Sequence, residues 1–148
     1  MSITVRTAND GDAAEVAAVA AATFPLACPP SADPADIEAA IAASLSPQRF
    51  TEYLADPRRV ILVATDNDRI VGYAMLIRGI GDDPGIAASV PHRPAVELSK
   101  MYMLSSHHRS GGSAQLMQNG IEWAANSGAV AIWLGVNRKN ERAQRFYS

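Results

Sequence analysis

Cysteine is nearly missing from this sequence: Cys28 stands alone among 148 residues. A lone cysteine cannot close an intramolecular disulfide, and it excludes metal sites built from several thiolates. It suits a reducing, cytoplasmic setting. An excess of charge of one sign is missing too. Lys and Arg number 13 against 15 Asp and Glu, a formal net charge of −2. Without a basic excess to hold a polyanion, nucleic acid is not an expected partner. Long hydrophobic runs are also lacking. The longest alanine-rich apolar stretch, Val16 to Phe24, is far short of the ~20 residues a membrane helix needs, so no membrane association is expected. The opening Met1-Ser-Ile-Thr-Val carries no basic stretch followed by an apolar core, the mark of a secretory signal. No internal repeat and no low-complexity tail is visible.

What is present is ordinary globular material. Hydrophobic residues make up 48% and charged residues 19%, which excludes an intrinsically disordered chain. The length suits one domain over 1–148, large enough to bury a core without staples.

Local patterns predict the elements. Ile3 and Val5 alternate with Thr4 and Arg6, a strand signal. Asn9-Asp10-Gly11-Asp12 supplies a turn and a helix cap. Ala13 to Thr23 is helical by propensity, with Val16, Val19, Ala20 and Thr23 on one face, and Phe24-Pro25 ends it. A proline-bearing loop from Leu26 leads to Asp33-Pro34, a cap followed by proline at the first helical position. The helix Ala35 to Leu45 carries Ile37, Ile41 and Leu45 at four-residue spacing, and Ser46-Pro47 opens a short helix through Leu54. Val60 to Ala64 and Ile70 to Ile77 are strands joined by the hairpin turn Asp66-Asn67-Asp68. Arg78 to Pro94 is a long loop, and Val96 to Leu104 a further strand. Ser113 to Asn126 is a helix with Leu116, Met117, Ile121, Ala124 and Ala125 on one side, stopped by Ser127-Gly128. Ala129 to Val136 is a strand, and a last helix starts at Asn140. This order implies an α/β arrangement, a mixed sheet with helices on its faces.

The segment richest in chemistry is Glu97-Leu-Ser-Lys-Met-Tyr-Met-Leu-Ser-Ser-His-His-Arg-Ser-Gly-Gly-Ser-Ala-Gln-Leu-Met117. A strand runs into a loop whose Gly111 and Gly112 sit where a helix begins. Free N–H groups at a helix start make an anion site, and glycine lets backbone approach a phosphate. Arg109 and the hydroxyls of Ser110 and Ser113 add donors, so a diphosphate is the natural guest. The plainer alternative is a Gly-Gly turn. No Gly-Lys-Ser/Thr follows, so it is not a Walker loop, and it does not fit the dinucleotide fingerprint.

The segment resembles the acetyl-CoA-binding motif of the GNAT (Gcn5-related) N-acetyltransferases, Gln/Arg-x-x-Gly-x-Gly/Ala after the fourth strand. Arg109-Ser-Gly-Gly112-Ser-Ala114 satisfies it literally. An ungapped fit to the flanking strand and helix uses His108-Arg-Ser-Gly111-Gly-Ser113, and this register is preferred because it also places Leu116 and Met117 on the usual apolar positions. It departs from the pattern at His108 and Ser113. Trp133 to Tyr147 is similar to the family's strand-loop-helix ending in Asn-x-x-Ala-x-x-Phe-Tyr, with Asn140, Ala143, Phe146 and Tyr147 in place. Ile70-Val-Gly-Tyr-Ala resembles the family's hairpin strand. Within the family, Glu97-Leu-Ser-Lys-Met-Tyr and Trp-Leu-Gly-Val look most like bacterial polyamine-type acetyltransferases.

The resemblance implies a three-layer fold and transfer of an acetyl group from acetyl-CoA to a primary amine of a small molecule, with a polyamine as one candidate. It assigns Tyr147 as the acid that protonates the leaving thiolate; the alternative is a core aromatic beside Phe146. It places Glu97 where several members carry a general base; the alternative is a solvated glutamate at a strand end. It implies that backbone groups at Met101 and Met103 pair with the pantetheine arm, and that His108, Arg109, Ser110, Gly111, Gly112, Ser113, Ala114 and Asn140 bind the cofactor. Asn140 is equally a helix cap. The acceptor pocket falls on Phe24 to Asp33, Tyr73 and Gly79 to Pro94, where Asp33, Asp36, Asp82 and Asp83 either supply acidity or serve as caps and turns. His107 and His108 are loop residues close to the phosphates, no metal is expected, and Cys28 has no visible base partner. Family members continue past Phe-Tyr with further strand, whereas this chain ends at Ser148. That implies a domain lacking its C-terminal strands, with an unpaired edge that a homodimer could cover. Two other readings remain: acetylation of a protein N-terminus or lysine, and a catalytically idle CoA-binding module.

Overall fold

The computed structural model describes residues 3–79, 94–108 and 110–134. Among these residues, five strands form one mixed sheet in the order β1-β2-β3-β4-β5. They are β1 (Ile3–Thr7), β2 (Arg59–Asp66), β3 (Arg69–Arg78), β4 (Ala95–Met103) and β5 (Ala131–Leu134). The first four pair antiparallel in sequence, and β5 pairs parallel to β4. A parallel return needs a crossover, and the helix α4 (Gly112–Asn126) supplies it. Three helices lie between β1 and β2: α1 (Ala13–Ala27), α2 (Pro34–Ser44) and α3 (Pro47–Ala55). This is the α/β class expected from the alternation of elements. None of the described helices is long and apolar enough to cross a membrane.

Period-two alternation along β2 and β3 sorts their side chains into two cores. Ile61, Val63, Tyr73 and Met75 face α1 and α3, joining Val16, Val19, Ala20 and Phe50. Leu62, Ala64, Ala74 and Leu76 face the other way and pack with Leu98, Met103, Leu116 and Ala124. The result is helix, sheet, helix.

The caps sit where the sequence puts them. The Asp33 carboxylate accepts from Ala35 N–H at 2.9 Å, and Ser46 Oγ accepts from Arg49 N–H at 3.2 Å, each ahead of a proline at the helix start. Asn9 and Asp12 form a reciprocal capping box around a short 3-10 turn before α1. Asn67 and Asp68 both have positive φ, 52° and 66°, as a two-residue hairpin turn between β2 and β3 requires.

Three differences from the sequence reading have physical causes. First, α1 does not stop at Phe24; it continues through Pro25 to Ala27. A proline this close to the end removes only one helical hydrogen bond. Thr23 Oγ1 meanwhile donates back to Val19 O at 2.8 Å. Second, the buried line of α4 is Gly112, Leu116, Gly120 and Ala124, while Ile121 is 45% exposed. Gly120 lies under Leu76, where a Cβ would be 3.3 Å from Cδ2, so the helix approaches the sheet along its small residues. Third, β5 begins at Ala131, after Gly128 has turned the chain with φ +87°. The expected end of that strand at Val136, the helix from Asn140 and the loop from Ile80 to Arg93 lie outside the described residues.

Candidate active site

The candidate site lies where β4 ends and the chain turns into α4. β5 pairs with β4 only over Ala95–Leu98 among the described residues. Beyond Leu98 the register of β4 against β3 slips: Leu98 faces Leu76, Lys100 faces Met75, and Ser99 is the extra residue of a bulge. Leu104 N–H donates to Val71 O at 2.8 Å, so this is a hydrogen-bonded pair. Antiparallel pairs alternate, which makes Met103–Gly72 and Met101–Ala74 the non-hydrogen-bonded ones. The backbone groups of Met101 and Met103 therefore point away from β3, toward the side on which β5 pairs with Ala95–Leu98. Both side chains pack with the α4 core, Met103 buried and Met101 partly so. The Met103 carbonyl already accepts from His108 Nε2 at 2.9 Å.

The loop between β4 and α4 is tightly bonded. A 3-10 turn, Ser105–His107, follows Leu104. His107 O accepts from Ser110 Oγ at 2.7 Å and from Ser110 N–H at 3.1 Å. Ser110 Oγ in turn accepts from Gly112 N–H at 3.2 Å. Gly111 takes the left-handed conformation, φ +84°, with nothing among the described residues, its chain neighbours aside, within 4 Å of where a Cβ would stand. Its neighbour Gly112 is buried against Met103. The first-turn N–H groups of α4, those of Ser113 and Ala114 among them, have no acceptor inside the helix and carry the positive end of its dipole. Ser113 and Ala114 are exposed. Of the expected cofactor-binding set, the structure thus brings Met101, Met103, His108, Ser110, Gly111, Gly112, Ser113 and Ala114 together around one loop. Arg109, Asn140 and Tyr147 lie outside the described residues.

On the other face of β4, Glu97, Lys100 and Tyr102 stand opposite Ile77, Met75 and Tyr73. Glu97 and Lys100 are half-buried. Burial lowers the Lys100 pKa from its ordinary value, and the Glu97 charge works against that. Reading the sequence missed Lys100. The bulge at Ser99 puts it on the face of Glu97, and periodicity alone would have put it on the opposite one. Tyr73 is fully buried, 5.7 Å from the Phe50 ring and 5.9 Å from the Tyr102 ring. Its hydroxyl has no hydrogen-bond partner among the described residues, and burial drives its pKa far above that of a free phenol. Cys28 Sγ donates to Phe24 O at 3.4 Å. No group of three His, Cys, Asp or Glu among the described residues is arranged to hold a metal.

Comparison with known proteins bears on this site. The Acetyltransferase (GNAT) family pattern matches residues 26–148. An uncharacterized N-acetyltransferase of Mycobacterium tuberculosis (strain ATCC 25618 / H37Rv) is 54% identical over 137 residues, 93% of this chain and 80% of that protein. The PaiA N-acetyltransferase of Thermoplasma acidophilum, solved with coenzyme A, superposes with TM-score 0.78 at 17% identity, over 99% of this chain and 87% of that one. The aminoglycoside N-acetyltransferase AAC(6')-Iy, solved with the bisubstrate analog CoA-S-monomethyl-acetylneamine, gives 0.65 at 16% identity, over 99% and 87%. The two structures share the fold, a curled mixed sheet flanked by helices. The match over most of the sequence goes further: the chain belongs to the GNAT acetyltransferase family, and its activity is acetyl transfer.

Proposed function

We propose that this acetyltransferase moves the acetyl group of acetyl-CoA directly to a primary amine of a small molecule, with a polyamine the first acceptor to test. The observation that carries the reading is the meeting of two features at one point. The backbone groups of Met101 and Met103 face the side of β4 along which, among the described residues, no strand pairs beyond Leu98, and β4 leads from there into the loop that opens α4. An extended amide-bearing arm can add to such an edge, and a diphosphate suits the helix start. The open space beside Gly111 leaves room for the phosphates to approach backbone. The residues present therefore fit coenzyme A.

Acetyl-CoA supplies an acyl thioester. The chain supplies proton handling. Glu97 takes the proton that the incoming ammonium must lose before it can attack. Lys100 lies on the same face of β4. Tyr147 holds the proton destined for the leaving sulfur, a role that rests on the sequence resemblance. The small-amine acceptor is supported by the neamine-derived analog bound in one structural relative. The lone cysteine supports a cytoplasmic setting.

The test is thiol release from acetyl-CoA with a panel of polyamines, aminoglycosides and lysine- or N-terminus-bearing peptides. Turnover with a small amine, lost in Tyr147→Phe and reduced at least tenfold in Glu97→Gln, is the expected result. Turnover with peptides alone moves the acceptor to protein. CoA binding without turnover on any amine makes the chain an idle cofactor-binding module.

A further inference from the structure

A chain of hydrogen bonds joins the β2–β3 hairpin to the start of α4. Asp66, the last residue of β2, accepts from His107 Nε2 at 3.0 Å. An ionised carboxylate can only accept, so the ring proton is on Nε2. In the neutral imidazole Nδ1 is then bare, and Ser106 Oγ donates to it at 2.7 Å. Both ring nitrogens are thus committed, and the ring orientation is set from two sides. His107 passes this order on through its backbone. Its carbonyl receives the Ser110 hydroxyl at 2.7 Å, and that oxygen receives Gly112 N–H at 3.2 Å. The His107 and Asp66 side chains are only 14% and 18% exposed, so solvent screens this contact weakly. The turn of the hairpin that carries Asp66 is set by the paired left-handed residues Asn67 and Asp68.

We propose that Asp66 is a positioning residue for cofactor binding. Through His107 and Ser110 it holds the loop and the first turn of α4 in the conformation that receives the diphosphate of coenzyme A. This inference rests on the proposed function of the same loop. Asp66 is no ligand; it acts by keeping the binding-competent loop populated. Affinity falls in proportion to that population, so a latch whose loss leaves a tenth of molecules competent costs about tenfold in Kd.

The experiment is calorimetric titration of coenzyme A into the wild-type chain, Asp66→Ala, Asp66→Asn, Ser110→Ala and the double variant Asp66→Ala/Ser110→Ala. Asp66→Ala is expected to weaken binding about tenfold. Asp66→Asn, which keeps an acceptor oxygen, is expected to lose less and guards against a fold defect in the alanine variant. Because Asp66 acts through Ser110, the double variant should bind no worse than Ser110→Ala alone, a non-additivity that general destabilisation does not produce. Wild-type affinity in both Asp66 variants, or effects that multiply in the double variant, overturns the inference. Failure of the wild-type chain to bind coenzyme A at all overturns the proposed function first, and this inference with it.

Discussion

The thioether of Met103 fills the space beside Gly72 where any other residue would carry a Cβ. The same side chain lies against Gly112, where a Cβ would be 2.5 Å from Met103 Cε. One methionine thus locks β3, the end of β4 and the start of α4 together, directly beneath the candidate cofactor loop. A Cβ on Gly72 would also come within 2.9 Å of the Tyr102 carbonyl, which cannot swing aside as a methionine tip can. Gly72→Ala is therefore expected to destabilise by the ~1–3 kcal/mol typical of overpacking. Urea unfolding should show a lower midpoint with an unchanged slope. An unchanged midpoint would mean that the sheet and Met103 have slack.

Gly111 separates conformational need from space. Its φ is +84°, yet among the described residues nothing beyond its chain neighbours stands within 4 Å of a Cβ there. Gly111→Ala should cost ~1–2 kcal/mol through left-handed strain alone, and Gly111→Asn less, because asparagine tolerates that region. The ranking of thermal midpoints, glycine above asparagine above alanine, checks this.

Tyr73 carries a fully buried hydroxyl with no partner among the described residues. Leaving such a group unsatisfied costs more than removing it. Tyr73→Phe is expected to gain ~1 kcal/mol, or ~2–4 °C in thermal midpoint for a chain of this size. A lower midpoint would show that the hydroxyl has a partner in solution.

Asp12 links stability to pH. Its carboxylate accepts from Arg6 Nη1 at 2.7 Å and from Asn9 N–H at 2.8 Å. The hydrogen bond from Arg6, chiefly, lowers its pKa in the folded state, against the opposing effect of burial. A depressed carboxylate pKa stabilises fully above the unfolded value of ~3.9, and that stabilisation is lost as pH falls through the lower folded value. Wild-type stability measured from pH 5 down to pH 2 should therefore fall more steeply than that of Asp12→Asn. Parallel curves would remove Asp12 from the acid response.

Much of this was readable in advance, for local reasons. Asp33-Pro34 and Ser46-Pro47 announced their helices because a cap followed by proline satisfies the first turn by itself. The Val60–Ala64 and Ile70–Ile77 runs announced a buried hairpin because both faces of those strands are covered. What escaped depends on partners distant in sequence. Gly120 joins the buried face of α4 because Leu76 needs the room. The bulge at Ser99 turns Lys100 onto the face of Glu97, and no window of sequence carries that shift. Asp66 read as a turn residue because its partner, His107, is 41 positions away. At the site itself, Gly111 and the end of β4 were legible as a motif, whereas the latch behind them was not.

The most direct test of the account is calorimetric titration of acetyl-CoA into the purified chain and into Gly111→Trp. The account predicts saturable micromolar binding to the wild-type chain, abolished when an indole fills the open space beside the loop. A folded wild-type chain that releases no heat, or a Gly111→Trp variant that binds acetyl-CoA as the wild type does, would contradict it.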